Sequence, residues 1–302
     1  MAYGLPYKGS KQAICKWLFN QLSTAKNFYD LFGGGGACTH FACLTGHYKN
    51  IYYNELNRNI YQGFKDAIAG KYLNRKEWID REIFLKNLGK GDLYNDFVFS
   101  FGSKGKEYFC SKEKEEIEKA IFLGSMHQDY RLFEKINKIK VPEGITPAGF
   151  RKLLRDYNLR NRPKENADRI NSLTALQTFE INFSNLSYYE VVIKPNSVIY
   201  CDIPYFGTDG YDFDFNYQNF YEWANRQTEI VFISEYYMPE DLFTCVATIN
   251  KKCTLSLDNS AKTTEKLFIP KRQEALFKQK VITLAEAMLI NNAKSRSILD
   301  SF

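Results

Sequence analysis

Val198-Ile199-Tyr200-Cys201-Asp202-Ile203-Pro204-Tyr205 decides how this chain reads. Its first four residues are apolar, β-branched or aromatic, the pattern of a short buried strand. The run then stops at an acid, a proline and an aromatic. A carboxylate at the end of a buried strand costs desolvation unless something there uses it. In open α/β sheets, ligands bind in the crevice beyond the strand C-termini. Asp202 can accept hydrogen bonds from an amine, Pro204 stiffens the backbone so that neighbouring carbonyls point one way, and Tyr205 offers a flat face for stacking. Together they suit a site for the exocyclic amino group of a purine or pyrimidine. The competing reading is an ordinary turn at a strand end.

Working outward, Asn27-Phe28-Tyr29-Asp30-Leu31-Phe32 predicts a strand that runs into Gly33-Gly34-Gly35-Gly36-Ala37. Successive glycines between a strand and a helix let the backbone approach a bound molecule and present amide N–H groups at the helix start. Neither G-x-G-x-x-G nor G-x-x-x-x-G-K-[ST] occurs, so phosphate binding is not indicated. Ile51-Tyr52-Tyr53-Asn54-Glu55 predicts a second strand ending in an acid, the position from which ribose hydroxyls are commonly held. Strand, glycine turn, strand and acid together point to a nucleoside cofactor without saying which. Tyr7-Lys8-Gly9-Ser10-Lys11 is a polar loop before a helix expected around Ile14 to Leu22.

The chain has 302 residues, enough for one large α/β domain or a domain with a sizeable insertion. A hydrophobic share of 44% and a charged share of 25% are those of a globular protein. A 16% aromatic share with a formal charge of +6 leans towards nucleic acid, because cations and flat rings are what strands and flipped bases require. No apolar run is long enough for a membrane span, and the N-terminus carries no signal pattern, so the expected location is cytoplasmic. Seven cysteines without paired spacing suggest reduced thiols. Cys38, His40, Cys43 and His47 would spread over more than one face of a helix, which favours packed thiols and ordinary histidines over a metal site.

Between about Tyr72 and Asn166 the texture becomes charged and aromatic, with one strand-like run at Asp96–Phe101. The region from Arg58 to Arg169 can hold the whole positive surplus. Two basic sets stand out, Gly102 to Tyr108 and the group Arg151, Lys152, Arg155, Arg160, Arg162 and Lys164, both candidates for phosphate contact. The segment reads as an inserted, mostly helical lobe. After it come an apolar-periodic helix from Arg169 to Phe179, the segment Leu186–Val191, and the key strand. Phe206-Gly207-Thr208-Asp209-Gly210-Tyr211 is a glycine-bearing loop able to close over a bound group. A helix at Phe220–Ala224, a strand at Glu229–Tyr236, hairpin strands at Val246–Ile249 and Cys253–Leu257, and a closing strand at Glu265–Pro270 follow. The tail from Gln273 to Phe302 is expected to be helical.

Phe32-Gly33-Gly34-Gly35-Gly36, Asp202-Ile203-Pro204-Tyr205 and their order resemble the Dam-like, alpha-group DNA adenine-N6 methyltransferases, phage and prophage members included. The resemblance covers most of the chain. It implies an α/β fold: a Rossmann-like S-adenosylmethionine-dependent methyltransferase sheet with an inserted helical DNA-recognition lobe. The implied boundaries are residues 1–71 and 167–302 for the methyltransferase domain and 72–166 for the target-recognition insertion. Asp202, Ile203, Pro204 and Tyr205 take the catalytic positions. The implied S-adenosylmethionine contacts are Tyr7, Lys11, Asp30, Phe32, Gly34, Gly36, Glu55, Ser187 and Asp202. Lys104, Lys106, Tyr108, Arg160, Arg162 and Lys164 are the implied DNA contacts. Ser234-Glu235-Tyr236 and Glu265-Lys266-Leu267-Phe268 also have family counterparts. The chain departs from the family pattern at Ile203, where Pro is usual, and at Ser187, where many members carry Asp.

The implied reaction takes an adenine out of double-stranded DNA, stacks it on Tyr205, and holds its amine for direct methyl transfer with no covalent enzyme intermediate, no thiol nucleophile and no metal. Cys201 is then plain strand packing. The alternatives are cytosine-N4 methylation, which usually has Ser in place of Asp202, protein glutamine methylation, which has Asn there, and a non-catalytic nucleic-acid-binding protein keeping the fold. No endonuclease motif is visible, so the expectation is a solitary methylase or one partnered by a separately encoded restriction endonuclease.

Overall fold

The computed structural model describes residues 2–7, 9–101, 106–205, 215–252 and 262–279. Lys8, the Gly102–Gly105 stretch with Lys104, the Phe206–Tyr211 loop, Cys253–Leu257 and the tail beyond residue 279 lie outside them. The chain divides into two compact units. One comprises residues Ala13–Gly33, Phe41–Leu56 and the chain from Glu180 onward; the other comprises the N-terminus to Gln12, Gly34–His40 and Asn57–Phe179. Among the described residues no helix is long and apolar enough to cross a membrane.

The first unit is built on a seven-stranded sheet. Its strands are β1 (Asn27–Asp30), β2 (Asn50–Asn54), β3 (Ile181–Ser184), β4 (Ser197–Asp202), β5 (Ile230–Glu235), β6 (Phe243–Lys252) and β7 (Lys262–Pro270). They lie in the order β3-β2-β1-β4-β5-β7-β6. The first five are parallel, and β7 is inserted antiparallel between β5 and β6. Strand order reverses between β1 and β4, which makes the carboxyl ends of those two strands the topological switch point.

Side-chain alternation sorts the central strands into two faces. Tyr29, Ile199, Cys201, Val231 and Ile233 join Phe220, Ala224, Met238 and Phe243 in one buried cluster, closed by the helix Tyr217–Arg226. On the opposite face Phe28 packs among Phe19, from the helix Cys15–Gln21, and Tyr48. There the Tyr200 hydroxyl and Ser234 Oγ share a buried hydrogen bond of 2.8 Å. A fully buried parallel strand needs apolar residues at nearly every position, and Ile230 to Ile233 meets that demand.

Several strand expectations need correction. The predicted run Asn27–Phe32 ends its pairing at Asp30, and β2 ends at Asn54, with Glu55 just beyond it. β3 was not anticipated: it is a short edge strand whose residues are only partly buried, so it lacks an apolar signature. The C-terminal hairpin joins β6 to β7, the partner of Val246–Ile249 being Lys262–Pro270.

The second unit is helical, with helices Arg58–Ile68, Arg81–Asn87, Glu115–His127, Arg131–Asn137, Pro147–Asp156 and Arg162–Asn171, the last followed by a 3-10 stretch, Ser172–Thr178. The strand-like run Asp96–Phe101 is no strand. Tyr94–Val98 is a π-helical turn, and only Ser100 makes an isolated bridge, to Tyr108. Its apolar content serves an aromatic cluster in which the Trp78 ring meets Phe99, Phe109 and Phe122 edge-on. A second cluster gathers Ala120, Ile121, Phe133, Phe150 and Leu154.

The N-terminal segment of this unit is strapped down by specific polar contacts. Arg169 donates from Nε to the Gly4 carbonyl (2.8 Å) and from Nη2 to the Tyr3 carbonyl (2.6 Å). The Gly4 N–H donates to His40 Nδ1 (3.1 Å), and the Leu5 N–H donates to the Gly35 carbonyl (2.6 Å). His40 accepts that bond only when Nδ1 is unprotonated. Burial, and then the Arg169 charge, push its pKa down to about 4 from an ordinary 6.5. Because the folded-state value is the lower one, this contribution is complete above pH 6.5 and is lost as pH falls towards 4, by roughly 3 kcal/mol in all. Thermal melts between pH 7 and pH 4.5 are expected to show a shallower decline for His40→Gln than for the wild type.

Candidate active site

In the sheet unit, the neighbouring strands β1 and β4 each end in an acid. Asp30 pairs in register with Tyr200, and Asp202 closes β4 opposite Ser234 of β5. Asp30 is 1% exposed and Asp202 is half-buried. Cys201 lies within the field of both: its thiol is raised well above the ordinary range, by burial first and then by the charges of Asp30 and Asp202. A thiol kept protonated in this way is no nucleophile. Two carboxylates at a switch point are a site prepared for a cation or for an amine.

The residues after Asp202 are individually fixed. Ile203 is fully buried in the same cluster as Ile199 and Cys201. Its side chain thus anchors the motif by burial where the family's usual proline would do so by ring rigidity. Pro204 is buried, and its carbonyl accepts a 3.0 Å hydrogen bond from the Tyr217 hydroxyl. Tyr205 is half-exposed; its hydroxyl donates to the Glu265 carboxylate, and its ring meets Tyr236 edge-on at 4.5 Å.

The neighbouring strand ends are tied together by Asn54, a buried residue that sequence reasoning passed over. Its Nδ2 donates to the carbonyls of Leu31 (3.0 Å) and Leu186 (2.9 Å). Its Oδ1 accepts from Ser184 Oγ (2.8 Å) and the Leu186 N–H (3.1 Å). Every donor and acceptor of that amide is used. The Gly33 N–H donates to the Asn54 carbonyl (2.8 Å), and Asn185 Nδ2 donates to the Glu55 carbonyl (2.6 Å). The Asn54 side chain therefore ties the loops after β1 and β3, which carry Phe32 and Ser187, while Asn185 holds the segment after β2 with half-buried Glu55. Ser187 opens the 3-10 turn Tyr188–Glu190 as a capping box, its N–H donating to Glu190 Oε2 at 2.9 Å. The S-x-x-E spacing of residues 187–190 was readable as that cap. Phe32 stacks on Tyr188 at 5.5 Å and meets Phe215 and Phe220 edge-on.

The glycine run holds its shape mainly against protein. Gly34 and Gly36 have φ of +48° and +71°, where a side chain is strained. A Cβ on Gly33 would strike the Tyr53 ring, one on Gly36 the Phe64 ring, and one on Gly35 would come within 2.7 Å of Tyr7 Cβ. At three of the four positions a side chain is therefore excluded by the chain itself.

In the helical unit Tyr7 is half-buried, with its ring 6.0 Å from Phe97, and Lys11 is buried. Cys38 and His40 are also buried here, while Cys43 and exposed His47 belong to the sheet unit. Burial pushes the Cys43 thiol up to about 12. Among the described residues no group of three or more His, Cys, Asp or Glu is arranged to hold a metal.

The basic residues are sorted by their partners. Tyr108 is not available to DNA: it is 5% exposed, its hydroxyl donates to the Ile79 carbonyl (2.7 Å), and the Arg81 guanidinium covers its ring. Its place in the aromatic cluster explains why a tyrosine beside a basic loop is a core residue. Arg160 is paired with Glu165 and Lys164 with Asp168, while Lys106 and Arg162 are exposed.

The D12 class N6 adenine-specific DNA methyltransferase model matches residues 7–234, a span that runs from the strapped N-terminal loop through Asp202–Tyr205 to the end of β5. The chain belongs to this family. A search of curated proteins finds no match. As a D12 class enzyme it methylates adenine N6 in DNA, with S-adenosylmethionine as the methyl donor. The family match favours adenine over the cytosine-N4 alternative and an enzyme over a non-catalytic binder. The residues present fit such a cofactor chemically: acids at the switch point are compatible with a cationic group, and an acid just beyond β2, Glu55, is compatible with a ribose diol.

For this methyltransferase the structure gives Ile203 a packing role. Ile203→Ala is expected to destabilise the fold by roughly 2–4 kcal/mol, the usual result of emptying a buried isoleucine site. Denaturant unfolding measures it.

Proposed function

We propose that Asp202, Ile203, Pro204 and Tyr205 form the adenine site of this methyltransferase, acting on a base flipped out of double-stranded DNA. The observation that carries the reading is the half-buried Asp202 carboxylate at the switch point, followed by a carbonyl and a ring that are each held by a named partner. Flipping costs a few kcal/mol of unstacking, which stacking on Tyr205 offsets in part. Asp202 accepts one N6 hydrogen. The second acceptor is the Ile203 carbonyl or that of Pro204, whose oxygen takes the Tyr217 hydroxyl on one of its two lone pairs. Drawing both hydrogens into these bonds weakens delocalisation of the nitrogen lone pair into the purine ring and fixes its direction. As N6 becomes positive, Asp202 stabilises the charge and takes the departing proton.

S-adenosylmethionine supplies an electrophilic methyl group on a sulfonium when bound. For its contacts we propose Tyr7, Lys11, Asp30 and Phe32, the amides at Gly34 and Gly36, Glu55 for the ribose, and Ser187 near the adenine. A serine keeps the cap that an aspartate would also provide, which supports this assignment at the position where the family often differs.

We further propose residues 72–166 as the target-recognition insertion within a methyltransferase domain of residues 1–71 and 167–302. Lys104, Lys106, Arg160, Arg162 and Lys164 are its phosphate contacts, Arg160 and Lys164 exchanging a carboxylate for a phosphate on binding. The protein works in the cytoplasm where its DNA is, either alone or beside a separately encoded endonuclease.

Label transferred from S-adenosylmethionine to unmethylated DNA is expected to appear as N6-methyladenine, and Asp202→Ala to lower kcat by about 1,000-fold. Label on cytosine, or an Asp202→Ala enzyme as fast as the wild type, would overturn the site assignment. On DNA, Arg162→Ala is expected to lower the salt slope of log K by about one. Arg160→Ala, whose charge Glu165 already neutralises, is expected to lower it by less; titrations at several salt concentrations compare the two.

A further inference from the structure

We propose that Glu265 is a positioning residue for methyl transfer, acting through the Tyr205 hydroxyl; this rests on the reading of Tyr205 as the residue that stacks on the target base. Glu265 lies on β7, in the antiparallel hairpin added beyond β5, and is fully buried. A buried carboxylate carries a heavy desolvation cost unless it is hydrogen-bonded. Here its Oε1 accepts from the hydroxyl of Tyr205. A second buried acid, on the next strand, holds a backbone N–H rather than a hydroxyl. Glu235, 2% exposed at the end of β5, accepts the Tyr236 N–H on Oε1 at 2.7 Å, and the Tyr236 ring abuts Tyr205 at 4.5 Å. Glu235 pairs with Lys266, the residue after Glu265, so alternation along β7 puts the two acids on opposite faces of the sheet, one behind each ring.

A stacking ring contributes most when its orientation is fixed before the base arrives, because otherwise the base must order it. The motif residues before Tyr205 fix its backbone. The ring needs a second anchor at its far end, and a carboxylate acceptor gives the strongest neutral-donor hydrogen bond available to a phenol. The hairpin β6–β7, which from strand order alone only closes the sheet edge, thereby contributes to the active site.

The test measures labelled methyl transfer to unmethylated genomic DNA for the wild type, Tyr205→Phe, Glu265→Leu, the double variant and Glu265→Gln. Melting temperature and S-adenosylmethionine Kd are followed in parallel. Tyr205→Phe and Glu265→Leu are each expected to lower kcat about tenfold, with KM for DNA and cofactor Kd within about twofold, and the double variant to be no slower than either single one. Glu265→Gln still offers an acceptor oxygen and is expected to stay within about threefold of the wild type. Losses that multiply in the double variant, or an unchanged kcat in Glu265→Leu, would overturn the proposal. If Glu265→Leu melts too low to assay, Glu265→Gln is compared in the Tyr and Phe backgrounds. Its effect disappears with the hydroxyl if the link is as proposed, and persists if it is not. Tyr205→Ala separates the two readings: an unchanged kcat there removes Tyr205 from the base site, whatever Glu265 does.

Discussion

Two carboxylates at the carboxyl ends of the neighbouring strands β1 and β4 are the constraint on which the proposed site depends. Asp30 and Asp202 are drawn out of bulk water within reach of the same buried thiol, and their charges help hold that thiol protonated. Parallel pairing of β1 with β4 sets Asp30 opposite Tyr200, two residues before Asp202, and the reversal of strand order there opens the crevice beyond both strand ends. Asn54, at the end of β2, performs the complementary task with neutral groups, using one amide to tie the loop after β1 to the end of β3 and the loop that follows it. Rigid strands supply the acids, and a saturated hydrogen-bond network supplies the walls.

Much of this was legible in the sequence, for definite reasons. Val198–Asp202 reads as a buried strand ending in an acid because apolar residues crowd a two-faced parallel strand, and the structure has β4 there. Glu55 could be placed after a strand for the same reason. Other features left no local trace. β3 is too short and too polar to declare itself. The run Asp96–Phe101 looked like a strand because packing a ring cluster and filling a sheet call for the same residue types. Tyr108 looked like a DNA contact for want of any sign that Ile79 would take its hydroxyl. Asn54, Arg169 and Glu265 act over long sequence separations, and no spacing rule encodes such partners.

The two departures from the family pattern have physical readings that need no loss of function. Ile203 replaces a rigid ring with a buried branched side chain, so the motif is held by packing. Ser187 retains a helix-capping oxygen in the place of an acid and pairs with Glu190 in a capping box. At Ile203 the local backbone is held by packing in place of a ring, and at Ser187 by a cap of the kind an acid also makes.

The central claim is that the carboxyl ends of β1, β2 and β4 hold the cofactor and the target amine. A crystal structure with the S-adenosylmethionine analogue sinefungin tests it most directly. The account predicts the analogue at those strand ends, its ribose hydroxyls on Glu55 and its transferable-group position facing Asp202. An analogue bound elsewhere, with Glu55 and Asp202 making no contact to it, would contradict the account.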